Sequence, residues 1–204
     1  MAREPQVMTE GKLSRSFYQR PVLEVARDCI GKVLVHRSTE GIAAGRIVES
    51  EAYRGPQDLA SHSSRGRTAR TEAMFGPPGR AYMFLLYGIS WAFNIVVADE
   101  GVPHAVLVRA LEPTLGLELM AARRKRDAAA RELTNGPGKL CMALGLDRRH
   151  YGVDLCGEEL YLLDGARRAV ACSPRINVDY AGSWAARPWR FYEKGNRYVS
   201  VPPR

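Results

Sequence analysis

Arg46-Ile-Val-Glu-Ser-Glu-Ala-Tyr53 decides how this chain is read. With a period of two, it predicts a strand whose two faces differ. Ile47, Glu49, Glu51 and Tyr53 point one way, and Arg46, Val48, Ser50 and Ala52 the other. Carboxylates are poor strand residues and costly to bury, so two on one face mark either a wet sheet edge or a site. The neighbourhood favours a site. Tyr53 follows Glu51 on the same face, about 6.6–6.8 Å along the strand, and a Gly-, Pro- and Arg-rich loop begins at Arg54. An acid and an aromatic at the lip of a strand, under a basic loop, fit a flat ligand.

At 204 residues the chain is long enough for a full core. Its 46% apolar and 25% charged residues are those of an ordinary globular protein, which excludes a disordered chain. The net charge of +8 and pI near 9.6 favour a polyanionic partner, nucleic acid before an anionic membrane surface. Much of that charge is arginine, which GC-rich coding raises by itself. No window approaches the ~18 apolar residues of a membrane span. Cys29, Cys141, Cys156 and Cys172 form no Cys-x-x-Cys pair, and His36, His62, His104 and His150 lack ligand spacing. Neither a metal, a cofactor nor a disulfide framework is therefore expected. Met1 to Lys12 has no apolar core of a signal peptide and reads as a loose tail. The expected location is inside a cell: the cytoplasm and nucleoid of a bacterium, or a eukaryotic nucleus.

Residues 13–204 read as one domain. Pro21 to Ile30 predicts a short helix stopped by Gly31, Lys32 to Arg37 a strand, and Ser38 to Gly41 a turn into the opening strand. Arg54 to Arg80 is a long connection carrying Arg54, Arg65, Arg67, Arg70 and Arg80, and such loops are usually functional or disordered. It contains His62. Ala81 to Val97 predicts two strands turning at Gly88. Phe84 and Tyr87 fall on opposite faces of a regular strand, and Tyr87, just before the turn glycine, is pushed outward. Asn94 interrupts an apolar strand, and a buried amide needs partners or a ligand. Ala105 to Glu112 predicts a strand ended by Pro113, with Arg109 placed to pair with Glu49 or Glu51. Thr114 caps an expected helix to about Arg131, whose basic back (Arg123 to Arg126) reads as solvated. Asn135-Gly-Pro-Gly-Lys139 opens a second helix, and Gly136, Gly138 and Lys139 at its N-terminus form a candidate phosphate seat. Further strands are expected over Ile176 to Tyr180, Trp189 to Tyr192 and Tyr198 to Val201, with Glu193 to Asn196 as a hairpin turn.

From Leu13 to Val201 the chain resembles the alkyladenine (3-methyladenine) DNA glycosylase family of base-excision repair, the methylpurine-DNA glycosylase type. Six segments carry the resemblance in order: Arg46 to Tyr53, Ala60-Ser-His-Ser63, Tyr87-Gly88 with Asn94, Leu107-Val-Arg-Ala-Leu-Glu-Pro113, Asn135-Gly-Pro-Gly-Lys-Leu140, and Arg187-Pro-Trp-Arg-Phe-Tyr192. The resemblance implies a single-domain α+β fold around a curved, mainly antiparallel sheet, a roll or partly open barrel, with flanking helices. It implies a monomer that acts on double-stranded DNA with damaged purines, not on membranes.

A base inside a duplex is out of reach of chemistry unless it is flipped out, which costs a few kcal/mol. By resemblance, Tyr87 is the wedge that fills the gap. Tyr53 and Phe84 sandwich the flipped purine, and His62 and Asn94 line its pocket, Asn94 where the exocyclic amine of guanine would sit. A cationic alkylated purine between aromatic faces gains roughly 0.5–2 kcal/mol. Cleavage of the N-glycosidic bond passes through an oxocarbenium-like state. The resemblance assigns the water-activating carboxylate to Glu51, not Glu49, with Arg109 orienting it and the Val178 carbonyl completing the cradle of the water. The strand motif has no lysine to form a Schiff base, so a monofunctional, lyase-free enzyme is expected.

Phe84 stands where vertebrate members carry tyrosine, and Ile89 and Ser90 differ from their bulkier minor-groove contacts; both bear on substrate breadth. The alternative is a non-catalytic, basic nucleic-acid-binding sheet domain, which accounts for the charge and Tyr87 and leaves Glu51 unexplained. A carbohydrate glycosidase using Glu49 and Glu51 would need its carboxyls on facing walls, about 5–9.5 Å apart.

Overall fold

In the computed structural model, which describes residues 10–201, one strand organises the molecule. The tail expected over 1–12 lies outside the described residues except for its last three, and of these Lys12 already bridges Leu163. In chain order the elements are α1 (Arg15–Tyr18), α2 (Val22–Asp28), β1 (Val33–Ser38), β2 (Gly41–Arg54), β3 (Ala81–Leu86), β4 (Ser90–Val97), β5 (His104–Leu115), α3 (Leu117–Arg124), α4 (Pro137–Leu144), β6 (Leu160–Leu163), β7 (Val170–Ser173) and β8 (Arg190–Glu193). The eight strands form one open antiparallel sheet of an α+β domain, with the order β3-β4-β5-β2-β1-β6 and β7-β8 joined to β2.

β2 is long enough to serve three neighbours. β5 runs beside it from Ala44 to Arg54, while its other edge is taken first by β1 and then by β8. The register with β5 slips between Ile47 and Ser50, and the slip reverses the alternation there. Ile47 therefore joins Ala52 in the main core, whereas Glu49, Glu51 and Tyr53 share the opposite face. The expectation that Ile47 points with the acids is corrected by this bulge.

Period-two alternation divides the rest of the sheet. Ala81, Met83, Phe93, Ile95, Val106 and Val108 pack with Val25 and Ala26 of α2 and Leu140 and Leu144 of α4. The intervening Tyr82, Phe84, Asn94, Ala105, Leu107 and Arg109 line a cavity on the other face. Fully buried Ile or Phe side chains contribute roughly 1.5–3 kcal/mol each relative to exposure. The helix-covered face thus offsets the several kcal/mol that burial of charge on the cavity face costs.

Four expected elements differ. Pro113 does not end β5: it pairs with Gly45 at another register shift, where a missing N–H breaks no regular ladder. The helix expected from Thr114 to Arg131 runs only from Leu117 to Arg124, set off by Gly116 and Lys125 in the left-handed region. Its basic back is not merely solvated, because Arg123 bonds Glu40, Ser38 and the Ala143 carbonyl. Ile176 to Tyr180 is no strand: Asn177 has φ 57°, and a 3-10 helix starts at Asp179. Tyr198 to Val201 does not pair either, since the Ser200 N–H donates to Glu49 and β8 is already held between β2 and β7.

Candidate active site

Glu49 and Glu51 are both fully buried, so the wet-edge reading of β2 fails. Arg109, on the adjacent strand β5, spans them: Nε donates to Glu49 at 3.1 Å and Nη1 to Glu51 at 3.3 Å. The guanidinium is therefore shared by both acids. Burial works against its charge, and Glu51 and Glu49 outweigh that, so its pKa is raised. Glu49 is further bound by Arg190 at 2.7 Å and the Ser200 N–H at 2.6 Å, both away from the cavity.

Glu51 is the acid turned to the cavity. Its Oε2 accepts from the Tyr53 hydroxyl at 2.8 Å and from Arg109, and its Oε1 accepts from the Ile176 N–H at 2.7 Å. Tyr53, Arg109 and Ile176 all line the cavity, and the carboxylate sits directly behind them. A carboxylate offers about four acceptor positions, so three are filled and one is left for a donor such as water. The two carboxylates share one wall and one guanidinium, which is not the facing-wall geometry of a carbohydrate glycosidase.

The cavity is about 400 Å³, within the range of small-ligand sites. Tyr53, His62, Phe84, Asn94 and Val178, all expected at the site, line it together. The His62 ring stands edge-on to Phe84 with centroids 4.5 Å apart, and its Nδ1 lies 2.9 Å from the Tyr82 hydroxyl. Burial, with a smaller contribution from Arg70, lowers its pKa to about 4, so His62 is neutral at pH 7. Burial and then Glu51 raise the Tyr53 hydroxyl well above its ordinary value, which keeps it a proton donor to the carboxylate. Asn94 is buried and its Nδ2 donates to the Tyr82 carbonyl at 3.1 Å, fixing the amide against the floor. The Val178 carbonyl accepts from Ala181 N at 2.9 Å, so one of its lone pairs is already used.

Tyr87 lines the cavity mouth and is 80% exposed, at a hairpin turn closed by an Ile89 N–H to Leu86 carbonyl bond. Tyr87 and Gly88, in the three-residue connection between Leu86 and Ser90, have φ 50° and 72°, both in the left-handed region. Gly88 supplies its value without strain, and the turn throws the tyrosine off the sheet. Ile89 beside it is 83% exposed.

The expected phosphate seat is used internally. Lys139 Nζ donates to Asn135 Oδ1 at 2.8 Å, and a Cβ on Gly138 would lie 2.6 Å from the Ser90 Cβ. Gly138 thus lets α4 approach the strand leaving the Tyr87 turn, and Pro137 reaches the cavity wall.

One pair escapes sequence reading. Arg175 and Asp58 are buried in a two-pronged ion pair, with Nη2 to Oδ1 at 2.8 Å, and Arg175 also donates to the Ala52 and Trp184 carbonyls. Its guanidinium stacks 4.7 Å from the Tyr53 ring centroid. Asp58 in turn accepts from Arg54 N and Ala60 N. The loop after β2 and the 174–184 segment are thereby clamped behind the ring. The two residues are 117 positions apart, and no local pattern links them.

A family model described as methylpurine-DNA glycosylase matches residues 16–197. Similar chains provisionally named 3-methyladenine DNA glycosylase occur in Methanocella arvoryzae, 51% identical over 92% of this chain and 95% of that one. They occur also in Anaeromyxobacter dehalogenans, 50% identical over 94% and 87%, and in Desulfitobacterium hafniense, 46% identical over 93% and 98%.

Proposed function

The chain belongs to the methylpurine-DNA glycosylase family of DNA glycosylases, and from that premise we propose that it flips alkylated or deaminated purines out of duplex DNA and hydrolyses their N-glycosidic bond, as a monomer and without lyase chemistry. The observation that carries this reading is Glu51, a buried carboxylate held by three donors directly behind an aromatic-walled cavity.

In the proposed reaction Tyr87 enters the stack where the base leaves, and the purine lies between Tyr53 and Phe84. Electron-poor, cationic rings gain most from the two aromatic faces. Neutral His62 accepts or donates one hydrogen bond without repelling a cationic base. Glu51 deprotonates a water aimed at C1′ and offsets the positive charge growing on the sugar. Arg109, anchored on Glu49, keeps Glu51 from swinging away. Apo contacts of this kind commonly rearrange when substrate binds, and the covered carboxylate requires such a shift of Tyr53 or Ile176. Among the described residues that line the cavity there is no lysine, which favours water over an amine as nucleophile.

The test uses duplexes carrying single 3-methyladenine, 7-methylguanine, hypoxanthine or ethenoadenine lesions. Free base should be released and the strand should stay intact until alkali is added. Borohydride trapping of a protein–DNA adduct would overturn the lyase-free reading, and binding without base release would favour the non-catalytic domain.

A further inference from the structure

Away from the Glu51 cavity, His36 of β1, His150 after α4 and Glu159 before β6 converge on one point. Their ligand atoms lie within 4.8 Å of one another. The separations are 3.0 Å between the two Nε2 atoms, 3.6 Å from His150 Nε2 to Glu159 Oε1, and 4.0 Å from His36 Nε2 to the same oxygen. Ligands about 2.0–2.1 Å from a tetrahedral zinc ion lie roughly 3.3–3.4 Å apart. The three atoms therefore bracket one face of a zinc tetrahedron.

We propose that His36, His150 and Glu159 bind a zinc-class divalent cation that staples β1, the 148–150 turn and the turn before β6. Two imidazoles and one carboxylate suit zinc, whereas calcium and magnesium call for oxygen-rich sets. The outer contacts fit as well. His36 Nδ1 lies 2.6 Å from the Leu144 carbonyl, the contact that fixes a ligating ring with its free nitrogen outward. Asp147 N donates to His150 Nδ1 at 3.0 Å, which leaves the His150 proton on Nε2, directed at His36. On metal binding that proton moves to Nδ1, where the Asp147 carbonyl at 3.3 Å and Oδ1 at 3.4 Å can accept its hydrogen bond, and the Asp147 N–H gives up its own bond to that nitrogen. No proton is lost in this exchange.

Glu159 needs only a sub-ångström swing. Its side chain is exposed, while its carbonyl accepts from Arg37 N at 2.8 Å and fixes the backbone beneath it. The neighbouring cations Arg123 and Arg149 are engaged with Glu40 and Asp147 at 2.6 and 2.8 Å. A cavity of about 910 Å³ that shares no lining residue with the Glu51 cavity gives access for the ion and a fourth, water ligand. The inference is independent of the reaction proposed above.

The untagged chain, stripped with chelator, is titrated with cobalt(II) and zinc chloride. One equivalent of cobalt should give the visible absorption of a tetrahedral N,O site, zinc should displace it, and zinc should raise the melting temperature. Glu159→Gln, exposed and safe for folding, should weaken zinc by about ten- to hundredfold or more, and His150→Gln should abolish the cobalt spectrum. Cys172→Ser and His62→Gln, removing an exposed thiol and a histidine of the other cavity, should change neither. No spectrum and no melting shift at millimolar metal would overturn the proposal, as would metal binding insensitive to Glu159→Gln and His150→Gln.

Discussion

Removing Asp58 should expose how much of the Tyr53 wall rests on a buried ion pair. Asp58 and Arg175 side chains are both fully covered, and the guanidinium has no other acid partner among the described residues. Its Nε has no acceptor among the described residues even with Asp58 in place. Asp58→Ala leaves that cation buried with only the Ala52 and Trp184 carbonyls, and frees the N–H groups of Arg54 and Ala60. Breaking one side of a buried pair costs roughly 3–5 kcal/mol. At about 2–4 °C per kcal/mol for a domain of this size, the melting temperature should fall by roughly 6–20 °C. Arg175→Met alone should cost a comparable amount by stranding Asp58. The double variant should cost roughly 1–3 kcal/mol less than the sum, since no buried charge remains. Thermal melts of the four proteins at pH 7 give the cycle. A shift below about 2 °C for Asp58→Ala, or strict additivity, would refute the clamp.

Three further outcomes follow from the cavity. Tyr87→Ser should weaken lesion-duplex binding and slow excision by about tenfold or more, with a smaller effect on single strands, because nothing then fills the stack; equal losses on both substrates would remove the wedge role. Asn94, held by the Tyr82 carbonyl, cannot swing aside for the amine of guanine, so Asn94→Ser should raise guanine release relative to hypoxanthine by about tenfold. An unchanged ratio of the two released bases would make Asn94 purely structural. His62 has its pKa lowered to about 4 from an ordinary 6.5, so between those values the unfolded chain binds a proton that the folded chain does not. Its contribution is complete above pH 6.5 and is lost as pH falls toward 4, up to roughly 3 kcal/mol in all. Melting curves at pH 4.5 and 7 should show His62→Gln losing less stability on acidification than the wild type, and parallel losses would exclude His62 as the titrating group.

What the sequence revealed follows a physical divide. Alternation and turn chemistry are local, so the strands of the central sheet and the outward thrust of Tyr87 beside Gly88 were legible. The bulge at Ile47 to Ser50 was not, because a register shift is set by the partner strand β5. The strand expected over Trp189 to Tyr192 is present as β8, but those expected at Ile176 to Tyr180 and Tyr198 to Val201 failed for a related reason. The Ile176 and Ser200 N–H groups serve Glu51 and Glu49 rather than a ladder, and no local pattern announces a backbone group committed to a distant carboxylate. Arg109 was expected to meet either acid and meets both, since one buried guanidinium can satisfy two carboxylates. His36 and His150, 114 residues apart, had no spacing to read, and only the turn after α4 brings them together.

The central claim is that Glu51 is the base and Glu49 its support, and single-turnover base release from a hypoxanthine duplex tests it most directly. Glu51→Gln keeps the shape but has a single acceptor oxygen, so it can hold the Tyr53 and Arg109 donors or the Ile176 N–H but not both, and it cannot take a proton from water. It should bind the lesion duplex nearly as well as the wild type and release no base above background, while Glu49→Gln retains measurable release. Wild-type release by Glu51→Gln, or loss of release by Glu49→Gln alone, would contradict the account.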